Sequence, residues 1–222
     1  MNHGIMNIAK TLLLEIDVQN DFCPGGALAV ADGNCVIAPL NALAAAFDLA
    51  GGWVAATQDW HPTGHASFAS AHKGRKPGDI IDLNNIKGQV LWPDHCIQGE
   101  WGSAFHDDLD TKPINLIIRK GFHRGLDSYS AFFENDRKTP TGLEGWISRL
   151  GINTVVIGGL ATDYCAFYSA MDAIRLELKT IIISDAVRGV GYPEGSVKFA
   201  VDQMRAAGIA FMESWVLLKG IS

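Results

Sequence analysis

The chain has no cysteine pair at CxxC spacing. Cys23, Cys35, Cys96 and Cys165 are scattered, so neither a zinc ribbon nor a thioredoxin-like motif is present. No apolar stretch reaches membrane-spanning length, and no membrane partner is expected. There is no basic excess. The net charge is -6 with both signs dispersed, which argues against nucleic acid as a partner. The first apolar run is followed by DVQNDFCPGG rather than G-x-G-x-x-G. The phosphate-cradling turn of a dinucleotide-binding dehydrogenase is therefore missing. The opening MNHGIMNIAK lacks the apolar core of a signal peptide. Residues 1–9 read as a flexible tip, the expected location is cytoplasmic, and the thiols are expected to be reduced. No linker, repeat or low-complexity tract divides the 222 residues. Residues 10–222 thus read as one domain, long enough to bury a sizeable core.

What is present is alternation. Apolar, β-branched runs predict strands near 11–18, 53–58, 114–119, 154–157, 180–184 and 210–213. Between them, helices are predicted over about 35–50, 143–150, 162–177 and 194–207, with Asp32 or Asn34 capping the first and Thr162 or Asp163 opening the third. This pattern predicts a single-domain α/β fold: a doubly wound, mainly parallel sheet of about six strands with helices on both faces. The stretch from 59 to 113 is rich in Gly, Pro, His and Asp and irregular. A loop of that length inside a compact domain is usually functional.

Three of the apolar runs end in a reactive side chain. KTLLLEID ends at Asp17, INLIIRK at Lys120, and TVVIGGLATDYC passes through Gly158 and Gly159 to Cys165. In open parallel sheets ligands collect outside the carboxyl ends of the strands. Taken singly, each residue has an ordinary reading: a packed cysteine, a turn aspartate, a solvated lysine. Delivered together to one edge they make a nucleophilic site. The carboxylate takes the thiol's proton and the lysine holds the pair. Cys165 in the first turn of a helix would have its thiolate favoured by free N–H groups and the nearby lysine.

Asp59 and His61 stand two apart in TQDWHPTGHASF, so both can face one way from an extended segment. His95 follows in LWPDHC. One carboxylate and two imidazoles suit a borderline divalent ion with positions left open. His65 and Ser67 are candidates for a further ligand or for bracing the loop, His65 more as a brace. His3, His72, His106 and His123 show no partner pattern and read as surface residues. Phe22, Trp92 and Tyr129, with Trp60, lie in nearby loops and suit either packing or a pocket for a flat ring.

IDVQNDFCPGGAL, TQDWHPTGHASF, WPDHCIQG, IIRKGFHRGLDSYSAFF and GGLATDYCAFYSA together give the chain a recognisable outline. Nearly its whole length resembles the nicotinamidases, also called pyrazinamidases, within the isochorismatase-like cysteine hydrolases. The resemblance implies an amidase of NAD salvage that converts nicotinamide to nicotinate and ammonia, and pyrazinamide to pyrazinoate, through a cysteine thioester. It implies a triad of Asp17, Lys120 and Cys165, metal ligands Asp59, His61 and His95, and pocket positions Phe22, Trp92 and Tyr129. It also implies a cis peptide at Leu160–Ala161, with the Ala161 N–H joining that of Cys165 at the oxyanion. One divalent ion per chain is expected, zinc first, with iron and manganese compatible. Ser67 stands where some relatives place a further histidine ligand, so Ser67 or water would complete the coordination. Another small amide, a ureido compound or a vinyl ether is the alternative substrate within the superfamily. A non-catalytic binding protein of the same fold is the alternative outside it. Monomer and homo-oligomer are both compatible with this sequence.

Overall fold

In a computed structural model, residues 6–84 and 86–221 are described. Strand β1 (Thr11–Ile16) is buried along its whole length, as a central parallel strand must be. Its side chains alternate between two cores. Leu12, Leu14 and Ile16 join one layer and Leu13 joins the other. Helix α1 (Ile37–Leu49) and strand β2 (Trp53–Asp59) follow. A short hairpin, β3 (Ile80–Leu83) and β4 (Ile86–Val90), interrupts the long loop. Strand β5 (Leu116–Lys120), helix α2 (Leu143–Leu150), strand β6 (Thr154–Leu160) and helix α3 (Cys165–Arg175) complete the middle of the chain. Then come β7 (Lys179–Arg188), α4 (Ser196–Ala206), β8 (Ala210–Met212) and α5 (Ser214–Ile221).

Six strands form one sheet in the order β5-β2-β1-β6-β7-β8, and every pair in it is parallel. The chain winds one way from β1 to β2 and β5, then returns to β6 on the other side. The order reverses between β1 and β6, and that is where such sheets bind ligands. Residues from α1 and α5 pack one face; residues from α2, α3 and α4 pack the other. The chain is one domain. Among the described residues no helix is long and apolar enough to cross a membrane.

The structure departs from the sequence reading in several places. Residues 1–5 of the expected tip lie outside the described residues, but Ile8–Lys10 form a 3-10 turn and Ile8 packs in the core. Neither Asp32 nor Asn34 caps α1, whose N-cap is Val36 behind a 3-10 turn at Gly33–Val36. Helix α3 begins at Cys165, after Tyr164, and not at 162 or 163. Asp163 is used elsewhere: its carboxylate accepts the N–H groups of Val190 and Gly191 and the hydroxyl of Ser196. Gly158 and Gly159 lie inside β6 and do not form a turn. Gly159 has φ 114, and a Cβ there would fall 2.1 Å from the Ile16 carbonyl oxygen. Its requirement is the close approach of β6 to β1.

Candidate active site

Asp17 follows the last residue of β1 in left-handed backbone (φ 48), which Asp tolerates better than most residues. Thr57 on β2 fixes it: the hydroxyl donates to Asp17 Oδ1 (2.6 Å) and accepts the Asp17 N–H (3.1 Å). Lys120 ends β5, paired in register with Asp59 at the end of β2. Cys165 is the first residue of α3, after the peptide Leu160–Ala161, which is cis.

The Lys120 ammonium joins these groups. Its Nζ lies 2.8 Å from Asp17 Oδ2 and 2.5 Å from Asp59 Oδ1, donates to the Ser128 carbonyl (3.0 Å), and reaches Cys165 Sγ at 3.4 Å. Lys120 and Asp17 are wholly buried and Cys165 nearly so. Burial pulls the Lys120 ammonium down, but Asp17 and Asp59 outweigh it and hold it well above the usual lysine range. Burial raises the Asp17 carboxyl above the ordinary aspartate value, Lys120 opposes that, and Asp59 adds to it. Cys165 corrects the expectation of a resting thiolate. Burial raises its pKa well above the ordinary thiol value, and Asp17 and Asp59 add to this against Lys120. Here the surroundings favour the thiol form of Cys165 over a preformed thiolate.

Asp59, His61 and His95 come together as the sequence suggested. An isolated parallel bridge between His61 and Ile97 brings the WPDHC segment alongside the end of β2. Asp21 takes the Cys96 N–H (2.6 Å), and Gln19 clamps the Asp59 backbone through both its N–H (2.8 Å) and its carbonyl (2.9 Å). Asp59 Oδ2 lies 3.6 Å from His61 Nε2 and 3.8 Å from His95 Nε2. The other ring nitrogens are committed: His61 Nδ1 to the Gly121 carbonyl (2.8 Å) and His95 Nδ1 to the Pro93 carbonyl (2.8 Å). In the neutral rings those bonds set the tautomers, with both Nε2 lone pairs on the side of the Asp59 oxygen; burial pulls the His61 pKa down, but Asp59 and Asp127 outweigh it and raise it. The residues present fit a divalent ion, and their ligand atoms all lie within 4.8 Å of one another. Asp59 therefore serves both halves of the site, one oxygen toward Lys120 and the other toward the histidines.

Ser67 Oγ pairs with His65 Nδ1 (2.8 Å), and His65 Nε2 donates to the His123 carbonyl (3.0 Å). His65 has both nitrogens engaged as a brace. His72 and His106 are half-buried and His123 is exposed, while His3 lies outside the described residues. A narrow cavity opens onto Cys165, Asp59 and His95, walled by Phe22, Trp92, Tyr129 and Ala161. Tyr164 and Asp127 also line it, and the sequence reading missed both. Thr57 and Gln19 were missed too. Thr57 carried a signal, because it stands two residues before Asp59 on the same strand and so shares its face.

A parallel sheet with a thiol, a carboxylate and an ammonium group buried at its switch point defines a hydrolase of the α/β class. The comparisons with known proteins agree. Residues 11–214 match the Isochorismatase domain. The chain is 46% identical to a nicotinamidase of Acinetobacter baylyi over 91% of its own length and 92% of that protein's. A solved nicotinamidase and pyrazinamidase of Acinetobacter baumanii superposes with TM-score 0.90 at 45% identity, covering 96% of this chain and 100% of that one. A pyrazinamidase of Pyrococcus horikoshii, solved in complex with zinc, superposes with TM-score 0.74 at 31% identity, covering 92% and 99%. The chain belongs to the isochorismatase family, in its nicotinamidase group.

Proposed function

We propose that this protein hydrolyses nicotinamide to nicotinate and ammonia, and pyrazinamide to pyrazinoate, through a thioester on Cys165. The observation that carries the reading is a cavity lined by Cys165, Asp59 and His95, with Lys120 and Asp17 joined directly behind Cys165 and Asp59, and His61 grouped with Asp59 and His95. The relatives in the nicotinamidase group support the substrate class.

Asp17 takes the proton of Cys165 as the sulfur attacks the carboxamide carbon. A carboxyl raised above its ordinary value is a stronger base, which narrows its mismatch with a buried thiol. Lys120 keeps Asp17 in place and offsets the negative charge that forms on sulfur. The backbone N–H groups of Ala161 and Cys165 hold the oxyanion, a role worth about 2.7–4 kcal/mol per donor in other enzymes. The C–N bond breaks, Asp17 returns the proton to the leaving ammonia, and the nicotinoyl group stays on sulfur. Water then attacks the thioester, Asp17 takes its proton, and nicotinate and the free thiol are restored. Phe22, Trp92 and Tyr129 enclose the flat ring.

Asp59, His61 and His95 would hold one divalent ion, zinc before iron or manganese, with Ser67 or water completing its sphere. When bound, that ion supplies a fixed positive anchor for the ring nitrogen and Lewis acidity at the cavity wall. Ammonia release is measured with nicotinamide, pyrazinamide and small ureido compounds. Release from the first two supports the reading. Release only from ureido compounds, or from none, overturns it.

A further inference from the structure

Asp127 lies in the loop after β5, is 2% exposed, and lines the cavity that holds Cys165 and His95. Its oxygens meet only donors among the hydrogen bonds it makes. Oδ1 accepts the Ser128 N–H (2.8 Å) and Oδ2 accepts Gln89 Nε2 (2.8 Å). Gln89 is fixed in turn by Asn135, which donates to its Oε1 (3.2 Å), and by its own donation to the Val90 carbonyl (2.9 Å). The carboxylate is thus held in one orientation, with Oδ1 4.0 Å from His61 Nε2. In the neutral, metal-binding form His61 has its N–H committed to Gly121, so Nε2 presents a lone pair. That lone pair faces Asp59 Oδ2 at 3.6 Å and Asp127 Oδ1 at 4.0 Å. Three acceptors turned toward one another repel unless a cation or a proton lies among them.

The formal charges point the same way. Asp17, Asp59 and Asp127 set three carboxylates against one ammonium, Lys120, and none of these side chains is more than 5% exposed. Glu134 is buried nearby, and burial pushes its carboxyl up to about 7, so it is about half ionised at neutral pH and adds a partial negative charge. A divalent ion on Asp59, His61 and His95 balances the two uncompensated charges, and buried charges persist when they are balanced. Asp127 groups with His61 and His65, separately from the Asp59, His61 and His95 set.

Resting on the cation site of the proposed function, we propose that Asp127 is a second carboxylate of that site. It stands outside the direct ligands, accepts a hydrogen bond from a water of the ion's coordination shell, and strengthens ion binding. Partners in that position typically change metal affinity by roughly 10–100-fold.

The test is zinc affinity by competition with a chromophoric chelator, alongside the melting temperature of metal-free protein. Asp127→Asn is expected to weaken zinc binding at least about tenfold. Asp127→Ser should do the same, and it replaces Asp127→Asn if that variant does not fold. A merely structural Asp127 predicts the reverse: both substitutions lower the metal-free melting temperature, and zinc affinity is unmoved in the Asp127 variants. That result overturns the proposal. Wild-type protein that binds no zinc or manganese would remove the cation site itself, and this inference with it. Wild-type binding matched by Asp127→Asn would remove only the inference.

Discussion

Glu15 lies on β1, two residues before Asp17, with no exposed surface. Neither carboxyl oxygen has a hydrogen-bond partner. Burial, with a smaller push from Asp110, raises its pKa from 4.5 to about 8. Replacing it by Met removes the ionisable group and keeps the volume near that of Glu. Below pH 4.5 the folded and unfolded chains both hold the proton, and Glu15 brings no ionisation penalty. As pH rises toward 8, the unfolded chain gives up a proton that the folded chain must keep, and stability falls. Above about pH 8 the penalty levels off. The gap corresponds to about 3 kcal/mol at pH 7 and about 5 kcal/mol at pH 9. Glu15→Met should therefore raise the melting temperature by about 6–12 °C at pH 7 in a chain of this size, more at pH 9, and little at pH 4. Urea denaturation followed by circular dichroism at the three pH values gives the same comparison in free energy. Turnover should stay unchanged, because Glu15 points with Leu13 into the layer of α1 and α5. A gain that is equal at all three pH values would refute the ionisation argument, and so would a loss at pH 9.

Lys120→Met leaves Asp17 and Asp59 buried without their shared cation. It should cost about 3–5 kcal/mol in denaturant unfolding and abolish measurable ammonia release; retained stability and turnover would contradict the role given to Lys120. Gly121→Ala puts a Cβ 2.5 Å from His61 Cε1 at a position with φ 64. It should weaken zinc binding, read by chelator competition, while far-ultraviolet circular dichroism stays unchanged. The acid limb of kcat/KM should lie above the ordinary aspartate range, because Asp17 is raised and stays protonated, and so unable to act as base, to a higher pH than a free aspartate. A limb at or below that range would count against Asp17 as the base.

The strands that deliver Asp17, Lys120 and Cys165 were legible because buried parallel strands are continuous apolar runs, and a polar residue ending such a run stands out. Asp59 and His61 were legible from their spacing, and His95 from its WPDHC setting. The β3–β4 hairpin was not. Its residues are partly exposed, short, and set in a Gly- and Pro-rich stretch, so they show little apolar alternation. Helix α5, SWVLLKGI, is two turns long and held partly by Ser214, whose N–H and hydroxyl both donate to Asp185 on β7. Only the fold provides that partner. Asp163 looked like a helix cap because that is the local use of Asp, but distant N–H groups claimed it. The Cys165 thiol was misjudged for a related reason. Helix position and a nearby lysine can be read locally, whereas near-complete burial, the largest cause raising its pKa, is a property of the packed sheet. Asp127 carried no spacing signal at all.

The central claim is tested most directly by trapping the acyl group. Enzyme is mixed with nicotinamide, quenched in acid within the first turnover, digested and weighed by mass spectrometry. The account predicts a nicotinoyl group on the peptide containing Cys165, and neither that adduct nor ammonia release with Cys165→Ala. Undiminished ammonia release from Cys165→Ala would contradict it.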